Sequence, residues 1–92
     1  MDDRRLRARA LVTTALEAVE AELSAPCHGL AAAELGAVRD GLRGYLAALD
    51  GGSLPPRRDR GEGLGKLVAD AWPYDLTLGK LVLQAERAWR NA

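Results

Sequence analysis

Two adjacent residues, Cys27 and His28, carry the side chains of this sequence that are best suited to covalent catalysis or to binding a transition metal. Thiolate sulfur and imidazole nitrogen are ligands that Zn²⁺ prefers, but a structural zinc site needs four ligands. The chain holds a single cysteine and a single histidine, so these residue types cannot complete such a shell. Catalysis by the thiol would need the imidazole beside the sulfur, whereas side chains of neighbouring residues usually diverge. We therefore predict no metal or cofactor here, only a half-buried thiol and a solvated imidazole in a turn.

The segment GEGLGK, residues 61–66, is comparable in composition to a loop that binds phosphate through backbone amides and a lysine. Its glycine spacing differs from that of such loops, Leu67 occupies the position that needs a serine or threonine, and no strand precedes it. A glycine-rich entry into a helix explains the segment better. The carboxylates of Glu17, Glu20 and Glu22 are likewise predicted to lie on a solvated helix face. The sequence thus predicts a protein that is not an enzyme.

The composition indicates a small helical protein. Of 92 residues, 48% are apolar, and most of these are leucine and alanine, which favour helix over strand. Thirteen basic residues balance thirteen acidic ones, which leaves no overall field to attract nucleic acid or an anionic membrane. The longest apolar run is far shorter than the roughly 20 residues that span a bilayer, and the first residues lack the apolar core of a secretion signal. We expect a cytoplasmic location and no membrane partner.

Apolar residues recur at spacings of three and four along most of the chain, which is the pattern of helices that bury one face. Pro26 and Pro73 end two of these patterns, since proline disfavours helix in the residue before it. The stretch 51–61 is rich in glycine, proline and arginine and is predicted to be a surface loop. The sequence predicts one all-α domain, a four-helix bundle with a short third helix. The helices are expected at about 3–24, 30–49, 62–72 and 76–90.

The pentapeptide LGKLV occurs twice, at residues 64–68 and 78–82. Pro73 separates the copies, so we place them on two arms of an antiparallel hairpin formed by the third and fourth helices. In each copy the leucines and valine are expected to pack, glycine to allow close approach, and lysine to face outward. Asp75 or Thr77 is predicted to cap the fourth helix, and Gly51 and Gly52 to end the second.

A stripe of small residues runs along the second helix, away from its leucine seam. Glycine inside a helix costs about 1 kcal/mol relative to alanine, so two glycines on one flank suggest that another helix approaches closely. We predict a protein-protein interaction module, an adaptor, regulator or immunity-type inhibitor of a larger partner, with self-association as one form of partner. The predicted partner-binding residues are Ala37, Gly41, Gly44, Ala48, Leu76 and Leu83.

Two alternatives stay open at the level of sequence. A DNA-associated regulator would use the basic flank of the fourth helix and the arginines of the loop, although the balanced charge argues against nucleic acid. Its residues would be Arg57, Arg58, Arg60, Lys80 and Arg87. A carrier of a small apolar ligand would use Trp72 and Trp89 to line a cavity, whereas the simpler interpretation places both tryptophans in the core.

Overall fold

The computed structural model describes residues 3–52, 54–60 and 63–92. For Arg57 it describes the backbone only. These residues form four α-helices and one short 3₁₀ turn, and no strand occurs among them. The all-α bundle and its short third helix are therefore confirmed. The helices are α1 (Asp3–Ser24), α2 (Ala32–Gly51), α3 (Gly63–Ala71) and α4 (Thr77–Asn91), and the 3₁₀ turn is Arg57–Asp59.

The core lies between α1, α2 and α4, with α3 packed on α4 and touching α2. Its members follow the spacing of three and four that the sequence predicts, because each helix turns one leucine- and alanine-rich stripe inward. The buried apolar residues are Ala8, Val12, Ala15, Leu16, Val19, Leu35, Val38, Leu42, Leu49, Leu64, Val68, Trp72, Leu78, Val82, Ala85 and Trp89. Both tryptophans are thus core residues.

The two LGKLV segments pack on each other in antiparallel register, as predicted. Gly65 near the start of α3 lies against Leu83 in the second half of α4. A Cβ at Gly79, near the start of α4, would stand 3.2 Å from Val68 Cγ1. Leucine and valine of each copy pack in or against the core, and both lysines are exposed.

The predicted end of α2 is confirmed, whereas the predicted cap at the start of α4 is wrong. Gly52 adopts a left-handed conformation, φ 75°, and its N–H donates to Ala48 O, which closes α2 as predicted. The prediction that Asp75 or Thr77 caps α4 is wrong, because the N-cap is Leu76 and no side chain accepts a bond there. A backbone bond from Leu76 N–H to Pro73 O, 3.1 Å, forms the turn instead.

The stretch 51–61 is not a plain surface loop. Arg60 is only 8% exposed, and its guanidinium donates to the carbonyl oxygens of Pro55 and Trp89 at 2.9 and 3.1 Å. The same group lies 5.5 Å from the centre of the Trp89 ring. Arg60 therefore satisfies carbonyls at the end of α4 and fastens the loop to the core.

A buried carboxylate joins α2, α3 and α4. Glu86 is 4% exposed, and it accepts hydrogen bonds from the Tyr45 hydroxyl at 2.7 Å and from the backbone N–H groups of Leu64 and Gly65 at 3.0 and 2.9 Å. These amides belong to the first turn of α3, where helices leave N–H groups without internal partners. Tyr45 also stacks on Trp89 with ring centroids 4.6 Å apart. The position of α3 thus depends on a charged residue inside the protein.

This environment gives the Tyr45 hydroxyl an unusual titration. Burial, with the hydrogen bond and negative charge of Glu86, raises the pKa of Tyr45 above its ordinary range, against a smaller opposing effect of Arg90. In Tyr74→Phe, where Tyr45 is the only tyrosine, phenolate absorbance should appear well above the ordinary value of about pH 10. Because the pKa of Tyr45 is higher in the folded than in the unfolded state, its contribution to stability is complete below the unfolded pKa and decreases above it. The free energy of unfolding should therefore fall as pH rises beyond about 10.

The matched control is the double variant Tyr45→Phe/Tyr74→Phe. Its free energy of unfolding should lack the decrease above about pH 10 that comes from Tyr45. Phenolate formation at an ordinary pH, with the helical circular dichroism of Tyr74→Phe intact, would contradict the buried hydrogen bond.

Candidate functional site

Two clusters of polar side chains lie along the contact between α1 and α4, one near each end of α1. The helices run antiparallel, so the start of α1 lies beside the end of α4. At that end Arg4, Arg7 and Leu11 face Gln84, Arg87, Ala88 and Asn91 across a groove of about 750 Å³, which we call the arginine groove. No carboxylate of residues 3–52, 54–60 or 63–92 lines it, so its described walls are basic and polar around two apolar side chains.

The charges of the arginine groove are not neutralised within the described residues. Arg4, Arg7 and Arg87 form no ion pair there, and all three are exposed. Elsewhere arginines have carboxylate partners: Arg9 lies 2.6 Å from Asp50, and Arg43 lies 2.8 Å from Glu20. These pairs leave the arginine groove as a local basic patch on a chain with no net charge.

At the other end of α1, Glu22 folds onto the turn that follows the helix. Its Oε2 accepts the backbone N–H groups of Cys27 and His28 at 2.9 and 3.0 Å. Its Oε1 lies 2.6 Å from His28 Nδ1 and 3.4 Å from Cys27 Sγ. The prediction that Glu22 belongs to a solvated face is wrong, because Glu22 is 5% exposed and ties the turn to the helix.

The turn also corrects the expectation that neighbouring side chains diverge. Cys27 Sγ and His28 Nδ1 are 3.3 Å apart, and Cys27 is exposed instead of half-buried. Glu22, Cys27 and His28, which we call the turn cluster, thus bring three potential metal ligands within 4.8 Å of one another. A count of cysteine and histidine in the sequence does not reveal this cluster, because its third member is a carboxylate.

Electrostatics of the turn cluster argue against a nucleophilic thiol. Hydrogen bonds from the Cys27 backbone and the His28 side chain lower the pKa of Glu22 to about 2. The hydrogen bond to Glu22, partial desolvation and the carboxylate charge raise the pKa of the Cys27 thiol. A catalytic histidine contacts its nucleophile and its orienting carboxylate through different ring nitrogens. Here Nδ1 is nearest to both, and Nε2 is 3.9 Å from the sulfur.

A cavity of about 460 Å³ opens beside the turn cluster, between the end of α1 and the start of α4. Its other walls are mostly apolar, with Ala18 of α1 and Leu78 and Leu81 of α4, and Thr77 adds one hydroxyl. The cluster therefore faces a pocket large enough for a small molecule or several waters.

The small-residue stripe divides into a filled part and an open part. A Cβ at Gly41 would stand 2.7 Å from Leu64 Cδ2, so the close approach that the sequence predicts there is made by α3. Nothing lies within 4 Å of a Cβ at Gly44, and Ala37 is exposed. Ala48 is half-buried against the core. Of the two leucines, Leu76 packs against the core and Leu83 is 42% exposed.

The residues predicted for the nucleic-acid alternative do not form one exposed basic surface, because they differ in burial. Arg58, Lys80 and Arg87 are exposed, and the Arg57 side chain lies outside the described residues. Arg60 must be removed from that set because its guanidinium is buried against Trp89. These residues were predicted from their basic side chains. Residue type alone does not reveal that the guanidinium of Arg60 donates to a carbonyl oxygen at the end of α4.

The first amides of α3, at the end of GEGLGK, are occupied by the Glu86 carboxylate, so these N–H groups are not available to a phosphate. Neither Trp72 nor Trp89 lines the arginine groove or the cavity beside the turn cluster.

Comparison with protein-family models, with curated proteins and with solved structures finds no match for this chain. In the described ranges, none of the helices combines the length and the apolar character needed to cross a membrane.

Proposed function

We propose that this protein is a non-enzymatic binding module that takes an acidic segment of another protein into the arginine groove. The observation that carries the proposal is that three guanidinium groups from two helices line one groove and have no carboxylate partner in the part of the chain that the structure describes. The planar fork of a guanidinium matches carboxylate oxygens. Leu11 and Ala88 add an apolar strip on which an apolar side chain of the segment would pack.

An acidic protein segment fits the arginine groove better than nucleic acid. Nucleic-acid binding draws on many phosphate contacts over a broad basic face, whereas this chain has a formal net charge of zero. The guanidinium of Arg60 is buried against the core and does not face solvent. A phosphate backbone would also gain nothing from the apolar side chains of Leu11 and Ala88.

A second copy of the chain is a poorer occupant. If α1 of a second copy lay antiparallel in the groove, its acidic half would bring Glu17, Glu20 and Glu22 to the arginines, whereas Asp3 lies in the basic half of that helix. Glu20 is paired with Arg43, and Glu22 is held by the turn cluster. Within that acidic half, Glu17 is the one carboxylate left without a bond among the described residues, so this pairing would bring one carboxylate to three arginines. We therefore assign the arginine groove to a different protein.

The proposal is tested with a fluorescein-labelled synthetic helix that places glutamates and leucines on one face. Anisotropy at low ionic strength should show binding that weakens as salt is added, because exposed charge pairs are screened. Arg7→Glu or Arg87→Glu should each weaken binding about tenfold, since an attraction of about 0.7 kcal/mol becomes a repulsion of similar size, a change of about 1.4 kcal/mol. The double variant should lose about 100-fold if the two sites act independently.

Lys66→Glu is the matched control, because it makes the same charge change at an exposed position on α3. It should leave the affinity within about twofold, as expected of a distant surface charge. Equal weakening by all three substitutions, or equal binding of a peptide with glutamine in place of glutamate, would contradict the proposal. A duplex DNA oligonucleotide that binds more tightly than the acidic peptide would favour the nucleic-acid alternative instead.

A further inference from the structure

We propose that the turn cluster, Glu22, Cys27 and His28, is a binding site for a divalent transition metal of the Zn²⁺ class, with one coordination position open to the adjacent cavity. The site is independent of the arginine groove, which lies at the other end of α1. Sulfur, imidazole nitrogen and carboxylate oxygen are all accepted zinc ligands, and three protein ligands with an open fourth position are typical of a reactive zinc site.

The spacing of the donor atoms fits a tetrahedral ion. Metal-ligand distances of about 2.0 to 2.3 Å place the ligand atoms of a tetrahedron about 3.3 to 3.8 Å apart, and about 3.5 Å apart where one of the two is sulfur. Cys27 Sγ lies 3.4 Å from Glu22 Oε1 and 3.3 Å from His28 Nδ1. The third separation, between Nδ1 and Oε1, is 2.6 Å, which is a hydrogen-bond length. That edge must lengthen by about 0.7 Å, through a rotation of the exposed His28 ring, whereas the two edges to sulfur need only about 0.1 to 0.2 Å.

Glu22 is already oriented for this role. Its Oε2 is held by the backbone N–H groups of Cys27 and His28, so Oε1 is the atom presented to the other two ligands. Hydrogen bonds that fix a ligating carboxylate are the kind of second-shell support that metal sites use. The same two bonds fold the turn, so the ligands are brought together before any ion arrives.

The proton balance of binding is simple. A metal ion would replace the thiol proton of Cys27, which is released to solvent. Glu22 is already ionised, so its bond to His28 uses a proton on Nδ1. That proton would leave Nδ1 when this nitrogen ligates the ion, and the ring would then carry its proton on Nε2. One cation would then stand where hydrogen bonds now link the three side chains, with a net charge of zero for a divalent ion bound by one thiolate and one carboxylate.

The ligand set also indicates which ions are excluded. Ca²⁺ and Mg²⁺ prefer shells of oxygen, whereas thiolate and imidazole favour zinc, cobalt or copper. The fourth position would face the cavity wall formed by Ala18, Thr77 and Leu81, where a water or a donor atom of a small ligand can reach the ion.

Co²⁺ titration of the tag-free, reduced protein tests the site, because cobalt reports both ligand type and geometry. We expect one equivalent to bind with visible bands of tetrahedral intensity and a thiolate-to-cobalt charge-transfer band, and Zn²⁺ to displace it. His28 is the only histidine, so its ring resonances should shift upon addition of Zn²⁺. Added azide should alter the visible bands if the fourth position is open.

Cys27→Ser and His28→Gln lie in an exposed turn and are the primary variants, since their effect on folding should be small. Each should weaken Zn²⁺ binding at least 100-fold, because loss of a second-shell partner alone costs about 10- to 100-fold. Glu22→Gln should do the same, and Glu17→Gln on an exposed part of α1 should change nothing. Absence of the charge-transfer band, or equal Zn²⁺ affinity in the parent and both primary variants, would overturn the proposal.

Discussion

Replacing Glu86 with alanine is expected to lower the free energy of unfolding by about 3 kcal/mol or more, a large part of the stability of a small domain. The carboxylate accepts three hydrogen bonds in the interior, from the Tyr45 hydroxyl and from the backbone N–H groups of Leu64 and Gly65. A buried donor left without an acceptor costs about 1 to 3 kcal/mol. Alanine would leave three such donors, and the buried Leu64 N–H has the least chance of finding water.

Urea denaturation followed by circular dichroism measures this loss. Lys80→Ala is the matched control, since it removes an exposed charge from the same helix and should change stability by no more than about 0.5 kcal/mol. Glu86→Gln should fall between the two, because the amide keeps one acceptor oxygen but turns a donor toward another donor.

A double-mutant cycle with Tyr45→Phe separates the network from simple packing. Tyr45→Phe removes one hydrogen bond and leaves the ring stacked on Trp89. Because both changes break the same bond, their effects should add to more than the double variant loses. A loss below about 1 kcal/mol for Glu86→Ala, or strict additivity, would contradict a carboxylate shared by Tyr45 and α3.

The helices could be predicted from the sequence because the forces that place them are local. The spacing of three and four in Leu35, Val38 and Leu42 identifies one buried face, and proline after α1 and after α3 stops a helix wherever it occurs. Even the antiparallel hairpin followed from one proline between two copies of LGKLV. These features need no knowledge of what lies across the core.

The buried charges could not be predicted in this way. Glu22, Arg60 and Glu86 read as surface residues because charged side chains are almost never fully buried unless they are paired. Arg60 meets the Trp89 carbonyl across a separation of 29 residues, and Glu86 meets the Leu64 amide across 22. Only the tertiary fold reveals these partners. Glu22 is the exception, since its partners follow by five and six residues, and a carboxylate in the last turn before a turn with cysteine and histidine was a usable signal.

The arginine groove lies between these cases. Arg4 and Arg7 form a basic pair at helical spacing, and Arg87 with Asn91 forms a polar flank on α4, both visible in the sequence. Their union depends on the antiparallel register of α1 and α4, which is fixed by core packing and not by the charges themselves. Residue types in the sequence therefore indicate which chemistry a site could have. Which residues come together in that site depends on long-range packing.

The two glycines of α2 provide a matched test of how that packing treats the small-residue stripe. Gly44→Ala should raise the free energy of unfolding by about 0.5 to 1 kcal/mol, because alanine favours helix and its Cβ would meet nothing. Gly41→Ala gains the same helix propensity, but its Cβ would stand 2.7 and 2.9 Å from the two Cδ atoms of Leu64. Leu64 is a core residue and has little room to move. Overpacking of this kind costs about 1 to 3 kcal/mol, so Gly41→Ala should be destabilising on balance.

Because propensity cancels between the two substitutions, the difference between their unfolding free energies measures the contact of α3 with α2. That difference should be about 1 to 3 kcal/mol, read from urea denaturation of both variants under one set of conditions. In a Leu64→Ala background it should largely disappear, since the atoms that oppose the new methyl group are gone. Equal stabilisation by both alanines would mean that Leu64 leaves room for a methyl group at position 41, which would contradict the close approach of α3 to α2.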